Sequence, residues 1–308
     1  MSAAGWRGTG RAVLGDQLQL FLPARFAVTR FRNRCALAAR MVREATSQEE
    51  RVPVSNIVGL IDGPVRVRLD DFAGSFELSP RSRVFHRILK SGSYEPELAR
   101  LVRDLVPTGS QVIDVGANVG FYSVLMASLV GRNGEVLAVE PNSQAIGLLQ
   151  TNILANEVDD VVTVRPVAVG STSGGQGALY SIEGQPEFSS LNPSLHPAGR
   201  GPVESKPVEV LTIDRLARES GINPRFIKID IEGGELEALR GAEEVLLTAR
   251  PSVLCEIAGI GQTGAGHWSR VMGYMTGLGF RPVSVDDRRT VPVETRMGSD
   301  VLFLPKSQ

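Results

Sequence analysis

An apolar strand that runs straight into a glycine loop carrying an acid constrains this chain more than any other feature: Val112-Ile-Asp-Val-Gly-Ala-Asn-Val-Gly-Phe-Tyr122. Gly116 and Gly120 let the backbone turn tightly and come close to a ligand, and the apolar run over residues 121–130 reads as the helix that leaves the loop. A strand, a glycine turn and a helix in that order belong to α/β folds that bind nucleotide-type ligands at the turn. Asp114 narrows the ligand. Pyrophosphate loops offer a helix N-terminus and bare backbone donors to an anion, so a carboxylate at the mouth favours a ligand with positive charge.

The next strand, 135–140, ends in Glu140, about 20 residues beyond the loop, where dinucleotide folds place the acid that accepts hydrogen bonds from ribose hydroxyls. S-adenosyl-L-methionine joins a ribose to an ammonium and a sulfonium, and so meets both conditions. Taken alone, Asp114 reads equally as a helix N-cap or turn residue, and Glu140 as an exposed strand end before a helix begun by Pro141. Their joint spacing favours ligand binding. A nicotinamide site fits poorly, because the loop reads Gly-x-Asn-x-Gly where that fold needs G-x-G-x-x-G, and Asp114 would repel a pyrophosphate.

The 308 residues suffice for one large α/β domain with an extension, and the near-neutral charge of −1 argues against a broad nucleic-acid surface. Cys35 and Cys255 stand far apart and outside any metal-ligand spacing, which fits a reducing cytoplasm and gives no metal site. No apolar run approaches the roughly 20 residues of a transmembrane helix. Over residues 24–44, Ala24, Ala27, Val28, Phe31, Cys35, Ala38 and Val42 recur at helical spacing among arginines. Such a basic amphipathic helix is compatible with peripheral contact on an anionic membrane or with a partner, although packing on the chain's own core is the commoner use. The segment lacks the apolar centre and cleavage site of a secretory signal.

Short alternating runs at 65–69 and 74–78 predict a hairpin, and a helix is expected over 95–105 before Pro107 and Gly109 break the chain. The expected organisation is an N-terminal extension over 1–84 and a catalytic domain over 85–308. Within the latter, strands at 111–115, 136–139 and 161–169 alternate with helices at 121–130 and 143–156, which predicts a mostly parallel sheet with helices on both faces. Residues 171–207 are rich in Gly, Ser and Pro and read as an insertion, placed either to cover a substrate or to form a plain solvent loop. Beyond it, strands are expected at 208–212, 226–230, 252–256, 281–285 and 300–304, and helices at 235–248 and 267–278.

A second acid cluster follows the same logic as the first: Phe226-Ile-Lys-Ile-Asp-Ile-Glu-Gly-Gly-Glu235 brings Asp230 and Glu232 to a Gly-Gly turn ahead of a helix. In a strand buried on both sides, carboxylates at the C-terminal end are expected to face a cleft. Glu235 falls in the first helical turn, where the dipole favours an acid, and reads as structural.

With these segments in hand, the chain resembles the FkbM family of S-adenosylmethionine-dependent methyltransferases, of the class I type with a seven-stranded Rossmann-like sheet. Gly92-Ser-Tyr-Glu-Pro-Glu97, Asp114-Val-Gly-Ala-Asn-Val-Gly120, Val139-Glu-Pro-Asn142 and Lys228-Ile-Asp-Ile-Glu-Gly233 carry the resemblance, with Glu235-Leu-Glu-Ala-Leu-Arg-Gly241 after the last. The resemblance implies that Asp114, Gly116, Asn118 and Gly120 surround the methionine moiety. It also implies that Glu140 holds the ribose, that Val167 and Ala168 line the adenine pocket, and that Tyr94 and Glu95 close over the cofactor. Hydroxyl groups of sugars, glycolipids and polyketide-type natural products are the acceptors it points to. A protein or RNA acceptor, or a binding module without transfer, is the alternative.

In-line methyl transfer needs alignment of an acceptor oxygen and exclusion of water, and an alcohol needs a base or a divalent metal to take its proton. Asp230 and Glu232 are the first candidates and His267 the third, with Glu256 as an assistant. Asp230 is equally placed to meet the cofactor's amine, and His267 reads also as a surface or capping residue. His86 and His196 have less support. An oxygen ligand set of Asp230, Glu232 and Glu256 would suit magnesium, but their spacing does not establish one.

Overall fold

The computed structural model describes residues 11–14, 18–21, 63–182, 185–193, 202–257, 266–285 and 300–306, without side chains at 11–14, 18–21 and 185–188. The expected basic helix at 24–44, Cys35 and His196 lie outside the described residues. Among the described residues, no helix is long and apolar enough to cross a membrane. The chain divides into two compact units, Met1–Tyr94 and Glu95–Gln308.

The first unit holds an antiparallel sheet of β1 (Arg11–Leu14), β2 (Leu18–Phe21), β3 (Val65–Leu69) and β4 (Gly74–Leu78), paired in that order. The β3–β4 hairpin has the predicted bounds, because alternation sends Val65, Val67, Leu69, Phe76 and Leu78 inward. Helix α1 (Arg83–Ser91) was not predicted. Its signals are short: Ser82 Oγ accepts the Phe85 N–H at 3.1 Å as an N-cap, and Phe85 with Ile88 forms the only strongly buried stripe.

In the second unit, α2 (Pro96–Leu105) precedes β5 (Gln111–Val115), α3 (Phe121–Val130), β6 (Glu135–Val139), α4 (Ser143–Ala155) and β7 (Val162–Arg165). Four strands follow: β8 (Ala168–Val169), β9 (Gly175–Ile182), β10 (Gln185–Ser190) and β11 (Val203–Leu211). The chain then runs through α5 (Ile213–Ser220), β12 (Phe226–Ile229), α6 (Glu235–Arg240), α7 (Glu243–Thr248), β13 (Ser252–Glu256), α8 (His267–Gly277), β14 (Phe280–Ser284) and β15 (Asp300–Pro305).

A seven-stranded sheet in the order β14-β15-β13-β12-β5-β6-β7 forms the core, with β15 antiparallel to both neighbours and the other pairs parallel. This is the seven-stranded, mostly parallel Rossmann-like sheet expected from the sequence. The chain starts at the centre with β5, steps outward to β6 and β7, and returns to the other side of β5 as β12. That reversal opens a crevice beyond the carboxyl ends of β5 and β12, where ligands bind in such sheets.

Two expectations are corrected. The single strand at 161–169 is two strands in two sheets, because Pro166 supplies no ladder N–H and Val167 N–H turns back to Arg165 O at 3.0 Å. β8 then pairs with β11, and β10-β9-β11-β8 form a second sheet built largely from the insertion. The single helix at 235–248 is broken at Gly241, where a Cβ would run into the Gly170 carbonyl. The Asp214 carboxylate on α5 accepts the Glu244 and Val245 N–H groups at 3.0 and 2.9 Å and so caps a new helix. α5 itself was not predicted; Thr212 caps it through the Arg215 N–H at 3.1 Å.

Candidate cofactor and active site

The loop after β5 carries the first half of the site. Asp114 is buried, and its Oδ2 accepts the Ser123 hydroxyl at 2.6 Å while Oδ1 meets no donor among the described residues. Burial pushes its carboxyl above the ordinary aspartate range, against the pull of Lys228 and Ser123. Gly116 has a φ of 81°, and a Cβ there would run into the backbone carbonyl of Asp230. The close approach that demands glycine is therefore between the loops after β5 and β12. Gly120 has a φ of 94° at the start of α3, where a Cβ would sit 2.6 Å from Leu149 Cδ1. Asn118 adopts the left-handed region without being glycine, at a φ of 49°. Its N–H donates to Glu140 Oε2 at 2.9 Å, and its own buried Oδ1 meets no donor among the described residues.

Glu140 follows β6 directly. It is no exposed strand end: it is 5% exposed, and two backbone N–H groups clamp it, Asn118 at Oε2 and Asn142 at Oε1, at 2.9 and 2.8 Å. Burial pushes its pKa up to about 7, with the two N–H groups opposing and the charges of Asp114 and Asp230 adding to the rise. The helix beyond starts at Ser143, capped by Asn142 Oδ1, rather than at Pro141. Asn142 Nδ2 also donates to Ser189 Oγ at 2.7 Å, which ties the insertion to this loop.

The second half follows β12. That strand ends at Ile229, one residue short of the expected bound, so Asp230 and Glu232 both lie in the loop beyond it. Glu232 holds a φ of 50°, and its carbonyl accepts the Ser190 hydroxyl at 3.1 Å, a second tie from the insertion. Left-handed residues other than glycine cost of order 1 kcal/mol and cluster where surrounding structure imposes them, often at functional sites. Glu95 is another, with a φ of 43° at the N-cap of α2, and its Oε2 accepts the Tyr122 hydroxyl at 2.9 Å. Tyr94 belongs to the first unit, where its ring lies 6.2 Å from that of Phe72 and under the Arg87 guanidinium.

Glu235 and His267 form a buried pair, His267 Nε2 to Glu235 Oε2 at 2.8 Å, with 0% exposure at the glutamate side chain. Glu235 Oε1 also accepts the Gly233 N–H at 2.6 Å, so the pair braces the acid loop from below. Lys228, in the middle of β12, donates to Asp230 Oδ2 at 2.9 Å and lies 4.5 Å from the Tyr122 ring centroid. Lys228 was not among the site residues expected from the sequence. Its signal was available, because a lysine inside the apolar run of a central strand requires a buried partner.

A cavity of about 410 Å³ opens at the crevice. It brings together seven of the residues singled out from sequence: Gly116, Asn118, Glu140, Val167, Ala168, Asp230 and Glu232. Asp114, Gly120, Glu95 and His267 are not among its described lining residues. Ser189, Ser190, Leu191 and Asn192 line it from the insertion, so that segment is a wall and not a plain solvent loop. Every charged side chain among the described lining residues is an acid: Glu140, Asp230, Glu232 and Glu237. Among the described residues, no group of three or more His, Cys, Asp or Glu is arranged to hold a metal ion.

The family model of the methyltransferase FkbM domain matches residues 114–282, which span both acid loops and the insertion between them. The chain belongs to the FkbM methyltransferase family. Its cofactor is accordingly S-adenosyl-L-methionine. Over 96 residues the chain is 33% identical to a ribosomal protein L11 methyltransferase of Chloroflexus aurantiacus, covering 31% of this chain and 28% of that protein. It is 23% identical over 189 residues to a hexuronic acid methyltransferase of Haloferax volcanii, covering 61% of this chain and 72% of that one. A crystal structure of an FkbM methyltransferase from Methylobacillus flagellatus matches with a TM-score of 0.43 at 17% identity, covering 64% of this chain and 44% of that chain. The chain thus spans just over a quarter of the length of the first of these proteins and under half that of the third.

Proposed function

We propose that this protein transfers a methyl group from S-adenosyl-L-methionine to a hydroxyl oxygen of a sugar, glycolipid or polyketide-type natural product. One observation carries the reading: a clamped carboxylate, Glu140, and the acid loop of Asp230 and Glu232 line one cavity at the strand-order reversal. The donor set fits the cofactor. Each Glu140 oxygen already accepts one N–H and keeps a lone pair for a ribose hydroxyl. Val167, Ala168 and Leu179 offer an apolar wall to adenine, and Asn118 Oδ1 is a buried acceptor in want of a donor. Asp114 and the acid lining favour a cationic ligand.

Bound there, the cofactor supplies an electrophilic methyl carbon on a sulfonium. The chain's part is to align the acceptor oxygen, exclude water and receive the hydroxyl proton. Glu232 and Asp230 are the acceptors of that proton in this reading, Asp230 also being placed for the cofactor's amine. His267 acts through Glu235, by bracing the loop that carries them. The name of the Haloferax volcanii relative supports a sugar acceptor. The name of the Chloroflexus aurantiacus relative favours a protein acceptor as a second reading.

Calorimetric titration with S-adenosylhomocysteine, followed by transfer of labelled methyl to neutral glycosides, uronic acids and ribosomal proteins, tests the reading. Label in a glycoside or uronic acid hydroxyl supports it, and label in protein alone moves the assignment to the second reading. Binding with no transfer to any acceptor would point to a binding module, and absence of binding refutes the site.

A further inference from the structure

Lys228 is a buried cation that the chemistry above leaves without a task. Its side chain is 6% exposed, and its strand neighbours Phe226, Ile227 and Ile229 are all buried. An ammonium in such surroundings persists only when it is paired. The acids around it come from every side. Asp230, 30% exposed at the side chain and lining the cavity, accepts its hydrogen bond at 2.9 Å. Asp114 stands opposite it on β5 in the sheet register. Glu95 adds its field from the start of α2 and holds the hydroxyl of Tyr122, whose ring faces the ammonium at 4.5 Å. Glu256, at the end of β13, also feels it.

We propose that Lys228 is a positioning residue of the cofactor site. Its ammonium, set between Asp114 across the sheet register and Asp230 at the end of its own strand, offsets the mutual repulsion of those two acids, and it fixes the Asp230 carboxylate at the cavity wall. The proposal rests on the cofactor reading above and says how that site keeps its charge. Burial pulls Lys228 down, but Asp230 and Asp114 outweigh it and hold it above the ordinary lysine range, so it stays charged throughout. Burial pushes Asp114 up, and Lys228 is the largest influence opposing that rise. Without the ammonium, two neighbouring acids share one low-dielectric site, and their mutual repulsion favours uptake of a proton by the pair as pH falls. A floor that takes up a proton attracts a cationic ligand less. The deficit must therefore be largest at low pH and shrink as pH rises.

A purely structural ion pair behaves differently: its loss lowers stability and leaves the affinity of the folded fraction unchanged. S-adenosylhomocysteine, which keeps the ammonium, is titrated by calorimetry into wild-type, Lys228→Met and Lys228→Arg proteins at pH 6, 7 and 8.5. Each variant is compared with wild type at the same pH, so that the part of the Glu140 titration common to both drops out. The Met variant is expected to bind about tenfold more weakly at pH 6, the deficit falling about threefold by pH 8.5, with the Arg variant recovering most of the loss. A deficit that is constant with pH, or no deficit in a cooperatively melting Met variant, overturns the proposal. Should the Met variant fail to melt cooperatively, nitrogen-15 lysine spectra of wild-type protein decide. The signal of Lys228, the buried lysine among the described residues, must then move on adding S-adenosylhomocysteine and in Asp230→Asn. A signal indifferent to both sinks the idea. No binding by wild-type protein removes the cofactor reading and this one with it.

Discussion

Glu140→Gln exchanges one carboxylate oxygen for an amide nitrogen with little change of shape, and the geometry allows its consequences to be worked through. Both oxygens accept backbone N–H groups, from Asn118 and Asn142, so the new amide must turn its NH2 toward one of two donors. One buried N–H is left unpaired, at about 1–3 kcal/mol, and the acceptor offered to a ribose is lost on that side. A charged hydrogen bond of about 1.5–3 kcal/mol corresponds to roughly 10–100-fold in affinity, which is the expected loss for S-adenosylhomocysteine at pH 8.

The pH dependence is sharper still. Glu140 titrates near 7 in the free protein, raised from 4.5 chiefly by burial. Ribose hydroxyls donate to the ionised form, so binding expels the proton wherever the free group carries one. Wild-type affinity should therefore fall about tenfold from pH 8 to pH 6, and the ligand should release close to one proton per site near pH 6. Calorimetry in buffers of different ionisation enthalpy reads that proton directly. In Glu140→Gln that release should be largely lost. Equal proton release in both proteins would refute Glu140 as the ribose acceptor. The same raised pKa acts on folding with a definite sign. A carboxyl whose folded pKa lies above its unfolded value stabilises fully below about 4.5, and that contribution is lost as pH rises through about 7.

Three further outcomes follow from single contacts. Gly116→Ala should lower stability by about 2–4 kcal/mol in chemical denaturation, since its φ is positive and its Cβ meets the Asp230 carbonyl; an unchanged midpoint would mean the two loops do not touch. Glu232→Gln should keep affinity for S-adenosylhomocysteine within a few-fold while slowing transfer by about 10²-fold or more, and undiminished turnover with a competent acceptor removes Glu232 as the base. His267→Ala should cost about 3–5 kcal/mol in thermal or chemical unfolding by stranding the buried Glu235, and a variant of wild-type stability would show that the pair is not what braces the loop.

Local periodicity and turn chemistry were enough to place the elements that carry the site. Val112, Ile113 and Val115 around Asp114, the apolar helix Phe121–Val130 and the strand Ser252–Glu256 have the bounds the sequence implied, since each is specified by its own apolar pattern and flanking Gly or Pro. The reading failed where two segments far apart decide the outcome. Pro166 marks a break, but that the halves on either side enter different sheets depends on β11, more than thirty residues later. The kink at Gly241 depends on Gly170 and Asp214.

The same division holds within the site. The residue types that favour an adenosyl cofactor, an acid at the first turn, another after the second strand and a third group after the returning strand, are properties of the chain and were legible as such. Which of them share a cavity is set by strand order. The return of β12 to the side of β5 places Asp230 against Gly116 and Lys228 beside Asp114, and the fold of the insertion sets Ser189 and Ser190 on both acid loops. It also pairs His267 with Glu235 instead of with the cavity. A sequence pattern reports which face of its own element a side chain occupies, whereas a buried charge is governed by whichever neighbours the topology brings within a few ångströms of it.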